Sequence, residues 1–158
     1  MAVEDGAKVL IVEDNDDVRS MLSTFLGSKG YAVTSAAAAV EGVSAAVRTR
    51  PDLILMDLGL PDADGLSAVR AIRSDAGLVG VPILIVTAYD TMQFRAEAVD
   101  AGCVGYMVKP VDPQQLLETV KLFTGTGNII HGASEAIRDE GTVGRGLRRY
   151  PPAHADVP

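Results

Sequence analysis

The sequence predicts an α/β fold, a doubly wound parallel sheet of five strands with five helices, and three observations carry that prediction. Short aliphatic runs alternate with longer stretches of helical periodicity across residues 7–124. Several runs are apolar throughout, as strands covered on both faces must be. Four of the runs end in a polar residue, at the carboxyl edge where an open α/β sheet places its ligand cleft.

The first strand is read at Lys8 to Val12. Val18, Met21, Leu22, Phe25 and Leu26 then repeat at i, i+3, i+4, i+7 and i+8, the stripe of a helix that Gly27 and Gly30 stop. A second strand at Tyr31 to Ser35 leads into an alanine-rich helix from Ala38 to Arg48. Pro51 marks the entry to a third strand, Asp52 to Met56, which Asp57 closes. Gly59, Pro61, Asp62, Asp64 and Gly65 follow as a loop, and Leu66, Val69 and Ile72 put one apolar stripe on a third helix. Val81 to Val86 is a fourth strand ending at Thr87, and Thr91 to Ala101 a fourth helix. Val104 to Val108 is a fifth strand that stops at Lys109-Pro110, before Pro113 opens a helix carrying Leu116, Leu117, Val120 and Phe123. Strands and helices in strict alternation imply parallel strands joined by right-handed crossovers.

The 158 residues fit one domain with a remainder. Residues 1–6 form a short extension, 7–124 the domain, and 125–158 a tail with glycines, prolines and the basic group Arg145, Arg148 and Arg149 beside Tyr150. The tail is expected to be flexible or loosely docked, with Ile130, Ala133 and Ile137 able to place a short helix, and it is too short for an ordinary DNA-binding domain. Aromatic residues make up only 4% and tryptophan is absent, which suits an aliphatic core. A net charge of −7 argues against nucleic-acid binding by the domain, since phosphate contacts need concentrated Lys and Arg. No apolar stretch is long enough for a membrane span and the N-terminus carries Glu4 and Asp5, so a cytoplasmic location is expected. Cys103 is the only cysteine and is read as a small buried hydrophobe, while His131 and His154 are read as surface residues.

Glu13 and Asp14, Asp57, Thr87 and Lys109 follow four separate strands and should meet at one edge. Helix capping accounts for Asp16 and Asp17 but not for this convergence. Three carboxylates without histidine or cysteine suit a hard cation such as Mg²⁺ (or Mn²⁺), which joins carboxylates to phosphate oxygens. Lys109 is then a point charge for a phosphoryl group, Thr87 a hydrogen-bond donor to it, and Asp57 the nucleophile.

Glu13-Asp14, Leu55-Met56-Asp57-Leu58 with Leu60-Pro61-Asp62-Ala63-Asp64-Gly65, Val86-Thr87-Ala88 and Lys109-Pro110 together resemble the receiver domain of bacterial two-component response regulators, over residues 7–124. The resemblance implies a flavodoxin-like, stand-alone, chemotaxis-regulator-like switch rather than a turnover enzyme, with intrinsic autophosphorylation and slow autodephosphorylation. It implies phosphoryl transfer to Asp57 from a histidine on a sensor kinase or histidine phosphotransfer protein. It implies Asp14 and Asp57 as metal ligands, Glu13 acting through water and Gly59 through its backbone carbonyl. Thr87 and Tyr106 would be the switch pair, the competing reading of Tyr106 being a strand aromatic packed on the fourth helix. The peptide before Pro110 would be cis. An output protein would recognise the face of the fourth helix, fifth strand and fifth helix, with partner specificity at exposed positions such as Asp16, Arg19 and Asp112, and the chain would be a monomer or a phosphorylation-dependent dimer.

Gly59, Ala63, Ala88 and Tyr89 depart from or vary the commonest form of the family without removing a reacting group. A phosphate sink or phosphorelay intermediate is an alternative role. An aspartyl-phosphate hydrolase would need an Asp-x-Asp motif after the first strand, and a nucleotide or flavin carrier would need a phosphate-cradling loop where Glu13 to Asp17 instead repel phosphate.

Overall fold

Alternation along each strand sends successive side chains to opposite faces, and this sorts the aliphatic residues of the chain into two cores on either side of one sheet. In the computed structural model, which describes residues 6–125 and 147–149, the elements are β1 (Lys8–Val12), α1 (Asp16–Ser28), β2 (Ala32–Ala36), α2 (Ala39–Thr49), β3 (Leu53–Met56), α3 (Gly65–Arg73), β4 (Ile83–Thr87), α4 (Met92–Ala101), β5 (Gly105–Val108), α5 (Pro113–Thr124) and β6 (Leu147–Arg149). One core holds Leu10, Val12, Ile54, Met56, Ile83, Ile85 and Tyr106 against Ala45, Val69, Ile72 and Ala98 of α2, α3 and α4. The other holds Val9, Ile11, Leu53, Leu55, Leu84 and Met107 against Leu22 and Leu26 of α1 and Leu116, Leu117 and Val120 of α5. The result is a three-layer sandwich with helices on both faces.

The sheet order is β2-β1-β3-β4-β5-β6. The first five strands are parallel, as expected, and β3 and β4 at the centre are buried along their whole length. At the outer position β2 is only partly covered, which explains its mixed sequence. Beyond the expected five strands, β6 runs antiparallel along β5, opposing Met107 with Leu147, Tyr106 with Arg148 and Gly105 with Arg149. Three polar-flanked residues carry no strand periodicity, so the tail gave no sign of this pairing. The short helix around Ile130 and the residues His131 and His154 lie outside the described residues.

Helix ends follow local chemistry. Asn15 caps α1 by accepting from the Val18 amide at 3.0 Å, with Asp16 and Asp17 in the first turn. Asp64 caps α3 through the Ser67 amide at 2.7 Å, and Pro113 sits in the first turn of α5. A short 3-10 turn at Ala76–Leu78, absent from the sequence-based assignment, drives Leu78 fully into the first core.

Candidate functional site at the carboxyl edge

Sheet pairing continues past the strand ends, and this brings the polar residues together. The Glu13 amide donates to the Ala36 carbonyl (2.9 Å), the Asp57 amide to the Val12 carbonyl (3.1 Å) and the Lys109 amide to the Thr87 carbonyl (2.9 Å). Since β1, β3, β4 and β5 are neighbours, Glu13, Asp57, Thr87 and Lys109 line one edge. The loop after Asp57 turns back sharply: a Cβ on Gly65 would lie 2.2 Å from the Asp57 carbonyl oxygen, so only glycine permits this entry into α3.

Glu13 and Asp57 are buried carboxylates, and Lys109 faces both. Its Nζ donates to Glu13 Oε1 at 2.5 Å and to Asp57 Oδ2 at 3.2 Å. Burial pushes the Glu13 carboxyl above its ordinary pKa, against the bonds it accepts from Lys109 and from the Asn15 amide, with the Asp57 charge adding to the rise. Burial would lower the Lys109 ammonium, but the hydrogen bond to Glu13 and the charges of Asp57 and Glu13 outweigh it, so its pKa stands above the usual lysine range. The site therefore concentrates more negative charge than one lysine neutralises.

Asp14 is exposed, and its carboxylate lies with those of Glu13 and Asp57 so that one oxygen from each falls within 4.8 Å of the others. Oxygen donors alone, crowded and under-neutralised, fit a hard divalent cation. Gly59 lies close by, its amide donating to Asp57 Oδ1 at 3.3 Å. A Cβ on Gly59 would come within 2.8 Å of Tyr89 Cε2, so the Tyr89 ring stands over that glycine and packs at 5.5 Å on Phe94. Both aromatics line an open cleft of about 690 Å³ with Leu60, Pro61 and Asp62.

Thr87 is fully buried, and its Oγ1 accepts from the Tyr89 amide at 3.3 Å. Tyr106 is fully buried too, and its hydroxyl donates to the Tyr89 carbonyl at 2.6 Å. It does pack beside α4, where the Arg95 guanidinium lies over its ring. The Lys109–Pro110 peptide is cis. Cys103 is buried, in line with a role as a small hydrophobe.

Sequence reasoning missed two residues around this edge. Asp62 accepts from the Ala39 and Val40 amides at 2.7 and 3.0 Å, capping α2 from another loop, and those two bonds hold its carboxyl below the ordinary range. A signal existed: Ala38, the residue before α2, has no side chain that can cap. Arg95 was the other, and nothing local in the sequence shows that it reaches Tyr106.

The family model described as the response regulator receiver domain matches residues 9–121. Protein PilH of Pseudomonas aeruginosa is 33% identical over 114 residues, which cover 72% of this chain and 94% of PilH. The Vibrio cholerae chemotaxis protein CheY4 superposes with a TM-score of 0.72 and 34% identity, over 75% of this chain and 98% of that one. The receiver domain of the Pseudomonas aeruginosa sensor histidine kinase PA1611, solved with a magnesium ion coordinated in its active-site cleft, superposes with a TM-score of 0.71 and 36% identity, over 77% and 99%. Two other relatives are transcriptional regulators, and of these the chain spans about half the length, 47% and 48%.

Proposed function

This chain belongs to the family of response regulator receiver domains, and we propose that within it Asp57 accepts the phosphoryl group that sets the switch. The observation that carries this is the convergence of Asp57 with Glu13, Asp14 and Lys109 at the carboxyl edge of the sheet. Transfer breaks the phosphorus–nitrogen bond of a partner phosphohistidine and forms a phosphorus–oxygen bond to a carboxylate oxygen of Asp57. The freed imidazole nitrogen takes up a proton.

Glu13, Asp14 and Asp57, with the Gly59 main-chain carbonyl, would hold Mg²⁺, and Mn²⁺ shares the same preference for hard oxygen. The bound ion supplies positive charge to carboxylates and phosphoryl oxygens that would otherwise repel. Lys109, already bonded to Asp57, stays in place as the charge on the transferred group. Thr87 turns its hydroxyl from acceptor of the Tyr89 amide to donor toward the new phosphoryl oxygen. The Tyr89 loop then shifts, and Tyr106, bonded to the Tyr89 carbonyl, transmits the shift to the outer face.

Receiver domains take phosphoryl groups from histidine kinases and act on output partners. Here the output face would comprise α4, β5 and α5, and any partner on it also meets β6 beside β5. Among the described residues no helix is long and apolar enough to cross a membrane.

Incubation with Mg²⁺ and acetyl phosphate tests the assignment. One phosphoryl adduct by intact mass is expected, lost with EDTA and lost in Asp57→Asn. An adduct that persists in Asp57→Asn overturns Asp57 as the acceptor.

A further inference from the structure

Tyr106, on the last of the parallel strands, has no solvent exposure. Arg95 covers one face of its ring. The Arg95 Cζ sits 4.7 Å from the ring centroid, a cation stacked on an aromatic face. From the other side Asp90 holds the same guanidinium, its Oδ1 accepting from Nε at 2.6 Å and contacting Nη2. The Nη1 atom is buried with no hydrogen-bond partner among the described residues, so Asp90 is what orients the group's edge. Only a planar guanidinium can present a face to a ring and an edge to a carboxylate at once, which an ammonium cannot copy.

Two of the ring's contacts lead to one loop, between β4 and α4. The Tyr106 hydroxyl is bonded to the Tyr89 carbonyl, Arg95 is bonded to Asp90, and the Tyr89 amide in turn reaches Thr87 Oγ1. A displacement at Thr87 thus pulls on the tyrosine at its hydroxyl and on its cover together.

We infer that Arg95, oriented by Asp90, is a positioning residue that holds the Tyr106 ring in its buried rotamer. The position of the ring is then set by an ion pair between the β4–α4 loop and α4 as well as by Thr87, and this second coupling rests on the proposed switch. Loss of the guanidinium removes the stack and opens a route for the ring to turn out. The ratio of inward to outward ring should fall about tenfold, the scale of one partly desolvated cation–π contact.

The test uses the full chain labelled with ¹³C in its tyrosine rings, with Tyr106 assigned by Tyr106→Phe, and no phosphodonor. Arg95→Ala should move the Tyr106 ring signals toward exposed values and speed ring flipping, Arg95→Lys should do so nearly as far, and Asp90→Asn less. In Arg95→Ala, titration with Mg²⁺ and beryllofluoride, a phosphoryl mimic, should give an apparent affinity several-fold weaker. A Tyr106 ring unchanged in folded Arg95→Ala overturns the inference. Should that variant fail to fold, unchanged rings in both Arg95→Lys and Asp90→Asn overturn it equally. A moved ring with unchanged beryllofluoride affinity overturns the coupling to the site. Absence of any beryllofluoride response in the unaltered chain counts instead against Asp57 as acceptor, and the ring comparison still decides the role of Arg95.

Discussion

Lys109 and Arg73 are both cations drawn largely out of water, and they keep opposite company. Lys109 is surrounded by charge, with Glu13 and Asp57 raising its pKa against burial. Arg73, at the far end of α3, bonds instead to main-chain dipoles: its Nη1 donates to the Leu78 carbonyl at 2.9 Å, and its Nε and Nη2 to the Gly102 carbonyl at 3.3 and 3.0 Å. Burial pulls its pKa below the usual arginine range. On the proposed function, the contrast separates a cation of the phosphoryl site from a structural one. Carboxylates can change partners when a metal ion or a phosphoryl group arrives, whereas main-chain carbonyls at the ends of a 3-10 turn and a helix have nowhere to go. Arg73 is accordingly a clamp that ties α3 to the Leu78 turn and to the end of α4.

Lys109→Ala should break the working side of the contrast and give the largest effect. Phosphoryl uptake from acetyl phosphate, followed by intact mass, should slow about a hundredfold or more, because a fixed positive charge at the transferring group is lost. The same variant should also lose thermal stability, as the buried Glu13 and Asp57 carboxylates are left without their counter-charge. Arg73→Ala should act on stability alone. Two carbonyls lose their donors and a long side chain leaves the packing, so urea unfolding should report a loss of about 2–3 kcal/mol, with the phosphorylation rate of the folded protein unchanged.

Cys103, close to Arg73, sharpens the structural side through pH. Burial pushes its thiol from 9.0 to about 12, an effect that exceeds the opposing pull of Arg73 and Arg70. A raised pKa means that the folded state keeps a proton the unfolded chain gives up. Its contribution is therefore complete below pH 9 and is lost as pH rises toward 12. Relative to Cys103→Ala, the unaltered chain should lose on the order of 1–2 kcal/mol across the lower half of that window, measured by urea unfolding at stepped pH. Alkylation of Cys103 at neutral pH should require unfolding.

Asp62 stands between the two cases, a carboxylate engaged with backbone but placed on the loop of the site. Asp62→Ala should have the smallest effect. Amide exchange at Ala39 and Val40 should quicken, and Mg²⁺ should bind more weakly as the loop carrying Gly59 loses its tether to α2.

The fold was legible because β3 and β4 are unbroken aliphatic runs and the α1 and α5 stripes have helical spacing, signals that lie within each segment. The candidate site was legible for a related reason: Asp57 and Lys109 interrupt apolar runs where burial forbids a charge without a purpose. Arg73, Arg95 and Asp62 were not legible, since each acts on a partner 5 to 29 residues away whose position only the folded chain fixes. The strand β6 escaped as well, because its pairing depends on the free edge of β5 and not on its own pattern.

Gly59 and Tyr89 sit on different loops but claim one volume, for a methyl group at residue 59 would come within 2.8 Å of the tyrosine ring. The two positions are therefore not independent variables of this sequence. Enlarging residue 59 evicts the ring, and trimming residue 89 opens room for a larger neighbour at 59. Substitutions at these positions should be non-additive, and a bulky residue at 59 should be tolerated best when residue 89 is made small in the same chain.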